Sequence, residues 1–398
     1  MKPGLNSRSA LILIVIAQFL GTSLWFAGNA VAPELGILLG KPGIISWITS
    51  AVQLGFIAGT LVFAFLSIPD RFPPAKVFLY SAILASFFNI LITILPLNLA
   101  IILTCRFLVG FFLAGIYPVG MKIAADYFEK GLGAALGFLV GALALGTAFP
   151  YLIKGLNLSF DWKITFYVTS LLTLLGGLII SFFVPSGPYR KSNLAFDIGL
   201  IPKLSKIKGL KSAASGYFGH MWEMYTFWAF LPLVIVHLKG SEVSGSYESL
   251  LTFFVIAAGA ISCAVGGLLS NRFGSRAVAT TALIGSGICC LTLILVQETT
   301  PEVWISLLIL WGILITADSP QFSTLVAQSV IPEYRGTALT LVNSLGFFIS
   351  VVSIQFAQVL LNWFSIVEVL SFLVIGPILG LSLFRLFYLK AKASPKTY

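Results

Sequence analysis

The first long apolar stretch of the chain, residues 9–31, reads SALILIVIAQFLGTSLWFAGNAV and sets the class of fold. A helix needs about 20 mostly apolar residues to cross a hydrocarbon core roughly 30 Å thick. This stretch is long enough to span, and it lacks the short apolar core and small-residue cleavage site of a signal peptide. We therefore interpret it as the first transmembrane helix.

Eleven further stretches of this kind follow, too long and without the two-residue alternation of barrel strands. Only 10% of the 398 residues are charged, against about 25% in soluble proteins, so lipid must surround most of the chain. The sequence predicts an all-α polytopic membrane protein with twelve transmembrane helices, here called spans 1 to 12. The predicted spans are 9–31, 44–67, 77–96, 99–123, 134–153, 163–185, 212–237, 248–270, 277–297, 303–328, 336–361 and 365–388.

Positive charges are distributed unequally between the two ends of the spans. An even number of spans puts both termini on one side, and the segments on that side carry 19 Lys and Arg residues against 4 on the other side. The positive-inside rule then places both termini in the cytoplasm and the chain in the plasma or inner membrane. Because the basic residues are scattered in this way, we expect no nucleic-acid partner despite a net charge of +10.

The chain repeats itself at an offset of about 202 residues. The segment 18–27, QFLGTSLWFA, aligns with 220–229, HMWEMYTFWA, and Pro118 aligns with Pro320 at the same offset. Parallel repeats of this kind place a central site between two halves that rock against each other.

The repeat and the one long connection divide the chain into two pseudo-symmetric halves of six helices. We expect an N-terminal bundle at 1–185, a cytoplasmic linker at 186–211 and a C-terminal bundle at 212–398. The basic linker is expected to include an amphipathic surface helix.

Four ionisable residues lie well inside predicted spans, where a charge needs a functional or structural reason. They are Arg106 in span 4, His220 and Glu223 in span 7, and Asp318 in span 10. Glu223 is the first candidate for a protonation switch, and a static salt bridge to Arg106 is the alternative. His220 shares a helix face with Glu223, and Pro320 after Asp318 predicts a broken helix at a transport site.

Further candidates for the solute pathway are polar or aromatic. Gln18 is the repeat partner of His220, and Asn29 lies on the same span as Gln18. An aromatic wall for an organic solute is predicted from residues of spans 1 and 7: Trp25, Trp222, Tyr225 and Trp228.

The loop after span 8, GLLSNRFGSR at 267–276, resembles motif A of the major facilitator superfamily, usually G-x-L-a-D-R-x-G-R-[KR]. The loop after span 2, IPDRFPPAK at 68–76, keeps the Asp-Arg pair of that motif. RFLVG at 106–110 is similar to the R-x-x-x-G of motif B, and WKITF at 162–166 to W-R-x-x-F, whereas span 5 lacks the G-P-x-x-G-G of antiporters. The resemblance implies a conformational latch at the residues that match motif A: Asp70, Arg71, Asn271, Arg272, Gly274 and Arg276.

Together these features predict a secondary active transporter of a small organic solute that works by alternating access, coupled to protons and monomeric in the lipid membrane. No nucleotide-binding loop, metalloprotease spacing or G-x-S-x-G elbow occurs in the sequence, so we expect no enzyme activity, no cofactor and no metal. A solute sensor that has lost transport and a drug/proton antiporter are the alternatives. Arg106 favours an anionic solute, Glu223 and Asp318 a cation, and the balance also fits a zwitterion.

Overall fold

The computed structural model describes residues 5–128, 132–156, 161–189, 197–240 and 245–393 of the chain. Its regular structure, within those ranges, is entirely helical. The α-helices are, in chain order, Ser7–Thr22, Ala27–Ala30, Ala32–Leu39, Ile44–Phe65, Ile68–Arg71, Pro74–Ile94, Leu99–Leu113, Tyr117–Ala125, Leu132–Leu156, Lys163–Phe183, Ile201–Leu204, Lys208–Lys239, Gly245–Phe273, Ser275–Val296, Pro301–Ala317, Ser319–Gln328, Arg335–Leu360, Ile366–Ser371 and Ile375–Lys392.

These helices correspond to the twelve predicted spans. Eleven continuous or closely joined helical segments within the described ranges are long and apolar enough to cross a membrane. Span 1 is the exception, because its first helix ends at Thr22 and the chain continues through a turn into Ala27–Ala30. We call the side on which span 1 begins and span 12 ends the terminal face, and the other side the opposite face.

Spans 4 and 10 break at equivalent positions of the repeat. The second helix of span 4 begins at Tyr117 and that of span 10 at Ser319, again 202 residues apart, with Pro118 and Pro320 in their first turns. Proline lacks a backbone N–H and is favoured in the first turn of a helix, where that N–H would have no partner, which agrees with a new helix beginning there. The break predicted in span 10 is therefore present, and span 4 has the same feature.

The connection between spans 6 and 7 is described only in part. Residues 190–196 of the predicted linker lie outside the described ranges. A short helical segment follows at Ile198–Leu204, and span 7 already begins at Lys208. The end of the basic run, Lys208 to Lys211, is thus the first turn of span 7 and not a separate amphipathic helix.

The two halves of the chain meet through small residues of spans 5 and 8. A Cβ atom added at Gly141 would lie 2.7 Å from the carbonyl oxygen of Ala260, and one at Gly137 would lie 3.1 Å from that of Cys263. Nearer the opposite face, Gly155 packs against Leu250. Glycine permits this close approach of two membrane helices, since their backbones can touch where no side chain intervenes.

Spans 2 and 4 make a reciprocal glycine contact within the first half. A Cβ atom at Gly55 would collide with the carbonyl oxygen of Phe107, and one at Gly110 would collide with that of Val52. Because backbone atoms oppose both glycines, the helices can relieve such a collision only by moving apart.

We predict that Gly110→Ala destabilises the protein by about 1–3 kcal/mol, the usual cost of overpacking. Thermal unfolding of the purified protein in detergent measures this change. Gly245→Ala is the matched control, because a Cβ atom there meets nothing within 4 Å. Equal melting temperatures of the two variants would contradict the close contact of spans 2 and 4.

Candidate functional site

A cavity of about 450 Å³ lies between the two halves in the described part of the chain. Spans 2, 4, 5, 7, 8, 10 and 11 contribute to its wall. The lining residues of span 11 run from Gly336, at the terminal face, to Phe347, near the middle of the helix. The cavity therefore extends from the terminal face to about the middle of the spans.

Methionine and aromatic side chains form much of the cavity wall. The chain has four methionines, and the three internal ones, Met121, Met221 and Met224, all line the cavity. Methionine is flexible and polarizable and adapts to ligands of different shape. The wall is thus suited to an apolar or aromatic group, as the pockets of organic ligands usually are.

Aromatic rings from both halves close the inner end of the cavity. Trp25 stacks on Tyr225 with ring centroids 6.1 Å apart, and Phe347 lies 5.6 Å from Trp25 and 5.2 Å from Tyr225. Phe26 meets Trp228 edge to face at 6.3 Å. Tyr225 and Trp228 line the cavity, whereas Trp25 is fully buried behind them. We call these five residues the aromatic plug.

Neutral polar side chains join spans 2 and 11 on the opposite-face side of the plug. Ser350 donates a hydrogen bond of 3.0 Å to Gln53 Oε1. Gln355 Nε2 donates to Ser50 Oγ at 2.8 Å and to the Ser46 carbonyl at 3.2 Å. These bonds hold the two halves together where the cavity ends.

An ion pair lies at the terminal-face end of the cavity. Lys122, three residues before the end of span 4, pairs with Asp70 on the short helix Ile68–Arg71. Among the cavity-lining residues that the structure describes, these two are the charged ones. Asp70, predicted as part of a latch, therefore also belongs to the cavity wall.

His220 and Asp318 lie directly behind the wall. His220 Nδ1 is 2.8 Å from Asp318 Oδ1, and both side chains are fully buried. Their neighbours Met221 and Ser319 line the cavity. Asp318 occupies the break between the two helices of span 10, so the pair joins span 7 to that break.

Glu223 lies inside the second half and not on the cavity wall. Its carboxylate accepts hydrogen bonds from Trp311 Nε1 at 2.6 Å, Ser286 Oγ at 2.9 Å and Cys290 Sγ at 3.3 Å. Spans 9 and 10 supply these three donors. They satisfy a carboxylate that is fully buried.

Arg106 holds the break in span 1. Its guanidinium donates to the carbonyl oxygens of Leu24 and Trp25 and, at 3.1 Å, to Asn89 Oδ1. Asn89 in turn donates to Ser170 Oγ of span 6 at 2.9 Å. The alternative of a salt bridge between Arg106 and Glu223 is therefore wrong, because each has its partners within its own half.

The remaining predicted solute contacts also lie away from the cavity. Gln18 is buried against Gly120 of span 4. Asn29 donates to Thr49 Oγ1 at 2.6 Å, on the opposite-face side of the plug. Trp222 packs against Phe356 of span 11, with centroids 5.9 Å apart.

The two copies of the predicted latch have different surroundings. In the first copy, Asp70 is paired with Lys122 and Arg71 is exposed. In the second copy, the Arg276 guanidinium carbon lies 3.6 Å from the Tyr388 ring and 4.4 Å from the Phe384 ring, both on span 12. Arg272 lies 5.3 Å from the ring of its neighbour Phe273, while Asn271 and Gly274 are exposed.

The residues predicted from the sequence are charged, polar or aromatic. They do not include the cavity-lining methionines, Lys122 or Phe347. The scarcity of methionine in so apolar a chain, with Met221 and Met224 on one face of span 7, is a signal that could have found the cavity wall. Lys122 lies at the end of predicted span 4, where a basic residue is expected at the cytoplasmic interface and does not indicate a cavity position.

Known families and structures agree with this architecture. The family model described as Major Facilitator Superfamily matches the chain twice, over residues 11–214 and 213–397. A curated relative, the Ascochitine biosynthesis cluster MFS transporter of Didymella fabae, is 29% identical over 168 residues, which are 41% of this chain. The match covers 29% of that relative's length.

Two crystal structures of a bacterial homolog to the human lysosomal transporter Spinster have the same fold. One is inward-facing and occupied, the other inward-facing and unoccupied. Each has a TM-score of 0.69, covering 99% of this chain and 100% of that chain, at 16% and 15% identity. The predicted all-α fold of twelve transmembrane helices is thereby confirmed.

We predict that Arg106→Gln destabilises the protein by roughly 2–5 kcal/mol, because buried carbonyls of the broken span 1 lose their charged donor. Thermal unfolding in detergent measures the loss. Arg71→Gln, at an exposed arginine, is the control and should melt like the wild type. An unchanged melting temperature of Arg106→Gln would show that the guanidinium does not hold the break.

Proposed function

Because the chain belongs to the major facilitator superfamily, a family of membrane transporters, we propose that it is a secondary transporter of an organic solute with a largely apolar body. The cavity between the halves carries this proposal. Its wall of methionine and aromatic side chains is suited to an apolar group, and no described residue of its inner part is charged.

The different construction of the two ends of the cavity supports alternating access. At the terminal face the halves stand apart around the cavity, whereas the plug and the bonds of Gln53 and Gln355 join them on the other side. Rocking of the halves, 1–185 and 212–398, about the contact of spans 5 and 8 would open one end as it closes the other. The solute would then meet the same wall from either side.

Proton coupling is supported by the His220–Asp318 pair. An imidazole and a carboxylate buried 2.8 Å apart can hold one proton between them, and an unpaired charge at that position is costly in the membrane interior. The pair joins span 7 to the break in span 10, so a change in its charge acts directly on the cavity wall. The ring centroids of Tyr217 and His220 are 5.9 Å apart, and Cys263 and Glu223 are the further titratable side chains near Asp318.

A drug/proton antiporter is the second candidate, and the adaptable methionine wall favours it. A transport-inactive sensor would share the cavity but show no flux. The curated relative is named as the transporter of a biosynthesis cluster, which agrees with an organic solute.

The direct test of coupling begins with a thermal-shift screen of organic solutes at about pH 6 and about pH 8, on either side of the range in which histidine ordinarily titrates. Flux of the best ligand into proteoliposomes is then measured with and without a pH gradient. We predict that the gradient drives accumulation by the wild type. Asp318→Asn should lose accumulation while it retains exchange of labelled for unlabelled ligand.

Glu223→Gln separates the two candidates for the protonation switch. Because Glu223 lies away from the cavity among three donors, we expect this variant to lower stability more than coupling. Accumulation that is lost in Glu223→Gln but kept in Asp318→Asn would assign the switch to Glu223. Wild-type flux that ignores the pH gradient would contradict proton coupling altogether.

We also propose that both termini are cytoplasmic, in agreement with the 19 to 4 distribution of basic residues. Alkaline phosphatase fused at residues 95–98 should be active, since this turn lies at the opposite face, and a fusion at the C terminus should be inactive. Green fluorescent protein fused at the C terminus should fluoresce. The reverse pattern of activities would overturn the orientation.

A further inference from the structure

Within the proposed transport function, we infer that the solute is a zwitterionic amphiphile whose charged end binds at Asp70 and Lys122 while its apolar body lies against the plug. This inference rests on the proposed function and adds the chemistry of the two ends of the solute. It follows from the uneven distribution of charge along the cavity.

The cavity is elongated along the spans. Its lining residues on span 7 run from Tyr217 to Trp228, eleven residues apart, which is about 16 Å at the rise of an α-helix. Those of span 11 cover the same number of residues, from Gly336 to Phe347. An extended solute with distinct ends therefore fits better than a compact polar one.

The terminal-face end of the cavity offers both signs of charge. The side chains of Lys122 and Asp70 are 23% and 21% exposed, so a solute can reach both groups. The polar residues Asn343, Thr340 and Ser323 lie on the cavity wall as well. The other end, at Met224 and the plug, presents apolar and aromatic surface.

Charge balance selects the end group of the solute. An anion bound to Lys122 would leave Asp70 half-buried without its partner, and a cation bound to Asp70 would do the same to Lys122. Removing one partner of such a pair costs more than the pair contributes. An end group that carries an ammonium and an acidic group can pair with both residues, so that no charge is left over.

A matched set of dansyl probes tests this inference, because the probes share one aromatic body and differ at the far end. Nε-dansyl-lysine is zwitterionic, dansylcadaverine cationic, dansyl-6-aminohexanoic acid anionic and N-pentyl-dansylamide uncharged. Binding is followed by dansyl fluorescence with the full-length protein in a nonionic detergent, which adds no competing zwitterion. We expect the zwitterion to bind about tenfold more tightly than the uncharged probe, the effect of one charge-assisted contact.

Neutral variants of the pair should change the order of the probes. Lys122→Gln frees Asp70 and should favour the cationic probe, whereas Asp70→Asn should favour the anionic probe. The double variant should bind all four alike. The control is the ion pair of Lys154 and Glu34 at the opposite face, 3.1 Å apart, whose neutral double variant should keep the wild-type order.

The outcomes separate this inference from the proposed function. Trp228→Ala should weaken all four probes together, because the shared aromatic body meets the plug. If no probe binds the wild type, the apolar cavity is not the solute site and the proposed function fails. If all four bind equally, and the Lys122 and Asp70 variants leave their order unchanged, the inference is overturned while the proposed function stands.

The same assay shows from which source a zwitterion comes. Dodecylphosphocholine carries the end group on a single lipid chain, and phenylalanine carries it on a small aromatic body. Displacement of Nε-dansyl-lysine by either one supports the inference and identifies the kind of body. Failure of both to displace it would contradict a zwitterion-binding end.

Discussion

The hydrogen bonds from Arg106 to the carbonyl oxygens of Leu24 and Trp25 are the interaction on which the cavity depends. The hydrocarbon core offers no water to a backbone group that a broken helix leaves free. At the break of span 1, Arg106 donates to both carbonyls, and that of Leu24 also accepts from the backbone N–H of Ala27. The break is what places Trp25 and Phe26 against Tyr225 and Trp228, and these contacts close the cavity.

The repeat gives the two halves similar backbones, and side chains then make their roles different. Both halves break a helix at the paired prolines of spans 4 and 10. In the first half, the Arg106 guanidinium donates to the backbone carbonyls at the break of span 1. In the second half, the break contains Asp318 with its Oδ1 2.8 Å from His220 Nδ1. An arginine that donates to backbone carbonyls and a buried histidine–carboxylate pair thus occupy related halves of one fold.

Buried charge and cavity surface are almost separate in this protein. Arg106, Glu223, His220 and Asp318 are satisfied or paired inside the bundles, because an exposed charge in an apolar cavity would lose hydration without gaining a partner. The charged groups that reach the cavity, Asp70 and Lys122, do so at the terminal face. The cavity thus presents charged groups at the terminal face and methionine and aromatic side chains further in, so its two ends differ in chemistry.

The sequence by itself determined the class of fold, the twelve spans, the repeat and the buried position of the four ionisable residues. Hydropathy, length and charge asymmetry are local properties, and lipid makes them decisive because every spanning segment must satisfy its own backbone. Only the tertiary structure decided which side chains face the cavity. A helix turns by 100° at each residue, so Glu223 points into its own bundle while Met224 faces the cavity one position later. Which neighbour lies on each side, and hence whether Arg106 meets Glu223 or the carbonyls of span 1, depends on packing between segments far apart in the chain.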